Sequence, residues 1–171
     1  MIRSAHVYLF TEGAMLGLTV TRLRDFTQHL FIKASFDSFF LSEARFATSF
    51  TAEFDGKALS ENAPQPYISW GQLRPVAFQL IRGKELPKSF SLVLVYPTEK
   101  TAALLAAADR ETDPEMLPSL FINLRYRQEQ LMLTTGVSEK SFYPDFGLPK
   151  LWDREVLKIL AELGLEDAVR S

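Results

Sequence analysis

Between Ala44 and Phe54 the side chains alternate. Ala44, Phe46, Phe50, Ala52 and Phe54 project one way, and Arg45, Ser49, Thr51 and Glu53 the other. A period of two marks a strand with one buried face and one wet face. The wider stretch Phe36 to Phe54, FDSFFLSEARFATSFTAEF, is too long for one ordinary strand, so a bend or bulge is expected near Ala47 to Ser49. Seven of the 14 phenylalanines lie between Phe31 and Phe54, which makes this region the anchor of the core. In FDSFFL, read as strand, Phe36 and Phe40 point to one face and Phe39 and Leu41 to the other. Asp55-Gly56 predicts a tight hairpin that folds Lys57 to Leu59 back on Phe50 to Phe54.

The rest of the chain supplies helices and further strands. Met15 to Val20 alternates as a first strand. Thr21 to Ile32 carries Leu23, Phe26 and Leu30 on one helical stripe, with His29 beside it as a packed or surface residue. Residues 60–68 read as loop. Ser69 with Gln72 three residues on forms a capping-box pattern for a second helix, whose inward positions are Trp70, Leu73, Ala77 and Leu80. Pro75 either kinks that helix or begins it, and Gly83 is expected to end it in the left-handed conformation. Phe90 to Tyr96 is a central-strand candidate closed by Pro97. Thr98 to Ala108 is expected as helix and Asp109 to Pro118 as polar loop. Leu120 to Tyr126 and Leu131 to Thr135 alternate around a polar tip, a hairpin signature. Ser141 to Tyr143 is a short edge-strand candidate. Lys150 to Leu163 is a last helix, with Trp152, Val156, Ile159, Leu160 and Leu163 inward and Gly164 as its stop. The sum is an α+β fold: a mostly antiparallel sheet of about six or seven strands with three or four helices packed on it.

Length and charge narrow the classes. A chain of 171 residues makes one domain the default and buries roughly 70% of its unfolded surface. That domain is expected over residues 15–171, with 1–14 as an N-terminal extension. The apolar run Ala5 to Phe10 is too short for a secretion signal, and Thr11-Glu12-Gly13 breaks it. The chain has no cysteine, which excludes thiol catalysis, disulfides and cysteine-ligated zinc and is compatible with the cytoplasm. A net charge of −2 gives no global field toward nucleic acid or an acidic membrane. No apolar run approaches the ~20 residues needed to span a bilayer.

Candidate chemistry is sparse. No nucleophile elbow, phosphate loop, dinucleotide fingerprint or metalloprotease motif occurs, and no cofactor is expected. His6 and His29 lie too far apart in sequence to suggest a histidine metal site. Glu111, Asp113 and Glu115 alternate as cation ligands sometimes do, but lack the glycine and distal glutamate of a calcium loop. Two polar sets stand out. Arg74, Arg82, Lys84 and Lys88, opposed by Glu85, could bind an anion through guanidinium forks, or could simply be solvated cations near a helix C-terminus. Asn123, Arg125 and Thr134, beside Thr135-Gly136, would share a sheet face in the right register, or would be an ordinary wet face. Trp70 and Trp152 are expected to fill core. Two function classes follow: a cytoplasmic, non-catalytic binding or assembly module, expected as a two-fold homodimer because of its apolar excess, or an enzyme on a small anionic substrate using Arg74, Lys84 or Arg125.

The segments FDSFFLSEA, WGQLRP, IRGKELPKSF, LFINLRYRQEQLMLTTGVS and LWDREV, taken in order, resemble an uncharacterised bacterial family, a domain of unknown function of about this size. The resemblance runs from Met15 to Leu165 and implies no activity. A weaker, architectural likeness is to one repeat unit of DNA sliding clamps. The order of elements and the hairpin LFINLRYRQEQLMLTTG carry it. The first helix offers only Arg22 and Arg24, with Asp25 beside them, where a clamp needs a basic surface.

Overall fold

The computed structural model describes residues 16–110, 112–140 and 145–171. The expected extension 1–14 and edge strand Ser141 to Tyr143 lie outside the described residues. In chain order the elements are β1 (Gly17–Val20), α1 (Leu23–Phe31), β2 (Phe40–Ala47), β3 (Thr51–Asp55), β4 (Ile68–Ser69), α2 (Trp70–Ile81), β5 (Ser89–Val95), α3 (Thr98–Ala107), β6 (Ser119–Arg127), β7 (Gln130–Ser138), α4 (Leu148–Glu162) and β8 (Val169–Arg170). The strands form one open sheet in the order β3-β2-β5-β6-β7-β1-β8, with β4 pairing β2 at one end. Every pairing is antiparallel. The expected α+β architecture is therefore the observed one; two strands of two residues each raise the count to eight.

Alternation decides which face is covered. Phe46, Phe90, Leu92, Leu94, Leu124, Tyr126, Leu131 and Leu133 are buried on one face, and α1, α2 and α4 pack there. Phe31 of α1 joins three elements at once: its ring lies 6.3 Å from Phe46, 5.9 Å from Trp70 and 5.3 Å from Phe90, each edge-on. Burying one such side chain contributes about 1.5–3 kcal/mol, so this cluster ties both N-terminal helices to the sheet. On the opposite face Arg45 and Arg125 are exposed, while Val93, Val95, Phe121 and Met132 are half-buried.

Helix signals hold unevenly. The Ser69 hydroxyl accepts the Gln72 N–H at 3.3 Å, the capping half of the expected box. The α2 helix runs through Pro75. Gly164 stops α4 with φ +70°, the left-handed stop expected of it. Gly83 does not do the same for α2: Arg82 is already extended there, and Gly164 is the one positive-φ glycine among the described residues. The chain leaves α2 by turning directly toward β5.

Three expectations around the phenylalanine-rich stretch need correction. First, Phe36 to Phe54 is not one bent strand. The chain reverses at 48–50, where the Thr48 N–H donates to the Phe50 carbonyl, and β3 returns along β2 with Ala44 opposite Phe54 and Phe46 opposite Ala52. Phe50 falls in the reversal, where strand parity has no meaning, and is 52% exposed. Second, Asp55-Gly56 is not a hairpin. A Cβ on Gly56 would stand 1.7 Å from the Leu41 carbonyl oxygen, so glycine is required there for close approach to the bulge in β2 between Leu41 and Glu43. Residues 57–59 therefore do not pair with β3; Lys57 bridges Tyr67 instead. Third, FDSFFL is a turn followed by strand. Phe36 and Phe39 both enter the core, their rings 5.8 Å apart, so Phe39 does not mark an outer face.

Candidate functional site

The α1 and α2 helices diverge above the Phe90–Tyr126 end of the sheet and leave a groove of about 630 Å³ between them, within the size range of small-molecule sites. Helical spacing builds its walls. On α1, Leu23, Thr27 and Phe31 recur every four residues, with Arg24 and Gln28 one step round. On α2, Phe78 and Ile81 form the facing i, i+3 pair, and the extended Arg82 follows where the helix ends. Leu86 and Pro87, on the loop from α2 to β5, close one side. At the lip Ile32 is 54% and Leu86 66% exposed.

The floor is a pair of rings from register partners on β5 and β6. Phe90 and Tyr126 stack with centroids 5.1 Å apart and planes 14° from parallel. The Tyr126 hydroxyl is buried and has no hydrogen-bond partner among the described residues. Burial, and behind it the Glu129 carboxylate, raise its pKa, so it is protonated at neutral pH.

A clamp next to the groove fixes the wall that follows α1. Arg74 forks onto Asp37, Nε to Oδ1 at 2.6 Å and a terminal nitrogen to Oδ2 at 3.0 Å, while its other nitrogen donates to the Ile32 carbonyl at 2.9 Å. The hydrogen bond to Asp37 raises the Arg74 pKa against the opposing effect of burial. Gly71 lets Asp37 approach, since a Cβ there would lie 3.0 Å from the Asp37 Cβ.

The residues singled out by sequence do not form one site. Arg74 is engaged by Asp37 rather than turned to a ligand. Arg82 stands on the groove rim with Arg24, and neither enters a salt bridge among the described residues. Lys84 is exposed in the loop beyond. Asn123 lies opposite Thr134 and Arg125 opposite Met132, so these three do share a face, the open one. There Arg125 and Arg127 border a shallow hollow with Arg45, Ser89 and Ser91. Thr135 turns the other way: it is buried, donates to Asp153 and accepts the Leu16 N–H. Sequence reading missed Arg24, Phe78, Ile81, Leu86 and Tyr126 as groove residues. The one local sign was an apolar Leu86-Pro87 inside an otherwise charged loop.

Other sets have structural work. Asp113 caps the short turn Pro114–Met116 by accepting the Glu115 N–H; Glu111 lies outside the described residues. Trp70 and Trp152 are fully buried, donating to the Leu30 and Phe121 carbonyls. Among the described residues no group of three or more histidine, aspartate or glutamate side chains is placed to hold a metal ion. No helix among them is long and apolar enough to cross a membrane.

Comparison with curated proteins finds no match, and comparison with solved structures finds none. A family model matches residues 29–166, from the last turn of α1 to the turn beyond α4; it takes in the α2 wall and the floor of the groove, and of the α1 side only Phe31 and Ile32. The chain thus belongs to DUF5721, a family of unknown function.

Proposed function

We propose that the protein is a non-catalytic binding module whose groove takes a small amphipathic anion, apolar along its body and carrying a carboxylate at one end. The observation that carries this is the pairing of carbon walls with a cationic rim. Leu23, Phe31, Phe78, Ile81, Leu86 and Pro87 offer apolar contact, and Arg24 and Arg82 offer guanidinium donors outnumbering the single acid Glu85. Guanidinium–carboxylate hydrogen bonds are stronger than neutral ones, and the apolar body gains about 25 cal/mol for each Å² withdrawn from water. A cytoplasmic setting fits a chain without cysteine.

Decanoate is the test ligand, titrated calorimetrically. Binding should weaken about tenfold in Arg82→Glu, through loss of one charged contact, and weaken in the wild type as salt rises. Ile81→Glu should abolish it. Decanoate affinity unchanged by both substitutions sinks the reading.

A second reading, assembly, rests on the open sheet face. Val93, Val95, Phe121 and Met132 are half-buried there, and the Phe121 ring lies on Gly136, where a Cβ would meet it at 2.2 Å. We infer a two-fold dimer through this face, since apolar patches of this kind mark contact surfaces. Sedimentation at micromolar concentration should give a dimer that Phe121→Ser weakens; a monomer of 19.4 kDa rejects it.

A further inference from the structure

The open face of the sheet changes character along β5. The outward positions of that strand run Ser89, Ser91, Val93, Val95, short and hydroxylic at one end and apolar at the other. Register sets long cations around the two serines: Arg45 on β2 and Arg125 on β6 lie either side of Ser91, and Arg127 lies beside Ser89. The result is a hollow of about 390 Å³ with three arginines around a pair of serines. A cation on a sheet face gains by facing an acid across the strands. Arg45 does so, with Glu53, its register partner on β3, at 3.1 Å. Arg125 and Arg127 do not. Their cross-strand neighbours are Ser91 and Met132, and Ser89 and Gln130, and neither arginine enters a salt bridge among the described residues. Both are exposed, two residues and so about 7 Å apart on one face, a like-charged pair with no acid opposite.

We propose that this hollow binds the terminal phosphate of a small phosphate monoester. Such a phosphate carries three strong acceptor oxygens and close to two charges, where a carboxylate has two oxygens and one charge. Arg125 and Arg127 each present a planar fork that matches it, permanently charged, and the serine hydroxyls donate from between them. A nucleic-acid backbone fits less well, since it needs a run of cations. Here the run is bounded by Glu53 on one side and by Met132 and Gln130 on the other, in a chain of net charge −2. A peptide gains no strand pairing either, because β5 and β6 lie inside the sheet and offer no free edge. The site stands apart from the groove, which draws on none of these serines or arginines, and from the apolar patch, which Val95 and Phe121 carry at the far end of the same two strands.

The test uses the full chain and methyl phosphate, titrated calorimetrically at constant ionic strength, with dimethyl phosphate as the singly charged comparison. The wild type is expected to bind methyl phosphate about tenfold tighter than dimethyl phosphate. Arg125→Ala and Arg127→Ala should each weaken methyl phosphate about tenfold, through loss of one charged contact. Arg125→Lys, which keeps the charge and loses the fork, should weaken it about threefold. Lys158→Ala removes the same charge from an exposed position on α4, across the sheet, and should leave the affinity unchanged. Circular dichroism checks that the alanine variants fold; if either does not, the wild-type comparison and Arg125→Lys read the same contact. The site is overturned by an absence of saturable binding, by equal affinity for the two phosphates, by a loss in Lys158→Ala as large as in Arg125→Ala, or by binding that survives both arginine-to-alanine changes. The last of these would put the anion elsewhere, the Arg24–Arg82 rim included, and leave the groove reading standing.

Discussion

The two ends of the helix-covered face are built from similar side chains to opposite effect. Under α4, Trp152 packs against Tyr96 with centroids 4.8 Å apart, and the polar atoms are paired: Trp152 with the Phe121 carbonyl, Tyr96 with Glu155, Thr135 with Asp153. Burial, reinforced by Glu155, pushes the Tyr96 pKa up to about 12, a phenol locked in its neutral form. Under α1 and α2 the hydroxyl of a second tyrosine on the same face has no partner among the described residues, and a groove lies between the two helices. Close packing with satisfied polar groups is what stability requires. Where the same sheet departs from it, the groove proposed above as a binding surface opens.

Four measurements sharpen or break that contrast. The largest effect belongs to the closed end. Trp152→Ala should cost about 3–5 kcal/mol of unfolding free energy, from a large cavity and an orphaned carbonyl, while Ile81→Ala, on a groove wall already open to water, should cost about 1 kcal/mol or less. Equal losses in urea melts would mean that the two ends are packed alike. Next comes the clamp. Asp37→Ala strips Arg74 of its fork at a partly buried site and should cost about 1–3 kcal/mol; a change within error would show that solvent replaces the pair without penalty.

The two tyrosines give the cleanest comparison. Tyr96→Phe removes a donor from Glu155 and should destabilise by about 0.5–1.5 kcal/mol, whereas Tyr126→Phe removes an unpaired group and should be neutral or stabilising. If Tyr126→Phe destabilises as much as Tyr96→Phe, its hydroxyl is satisfied within the protein. The smallest effect is from His29, on the far side of α1, whose Nδ1 lies 2.7 Å from the Ser35 hydroxyl. Burial and then Lys33 lower its pKa below 6.5, against an opposing pull from Asp25. A depressed histidine pKa means that the folded state resists protonation. Stability therefore falls as pH drops from 6.5 toward the folded pKa and then levels off. His29→Gln should flatten that part of the pH profile of the urea midpoint; an unchanged slope would assign it to other groups.

The elements whose evidence is local were legible in the chain. The β6–β7 hairpin, the α4 stripe, the Ser69 cap and the Gly164 stop each follow from residues within a turn of one another. What failed was reach. Alternation through Phe50 continued across a reversal because a loop residue can keep parity by chance. Asp55-Gly56 carried a hairpin signal, but its glycine answers to Leu41, fifteen positions earlier. The candidate cations were visible as types, yet nothing adjacent to Arg74 in sequence announces Asp37, 37 residues away. Thr134 and Thr135 looked like one polar set until the pleat sent them to opposite faces.

By itself, then, the sequence determined a mostly antiparallel sheet with helices packed on it, because periods of 2 and 3.6 are written in neighbouring residues. Only the tertiary structure decided where that cover opens. The groove draws on α1, α2, the 83–87 loop, β5 and β6, and Arg24 and Tyr126 lie 102 residues apart along the chain. Its floor, the stacked rings of Phe90 and Tyr126, exists only because β5 and β6 bring the two residues into register.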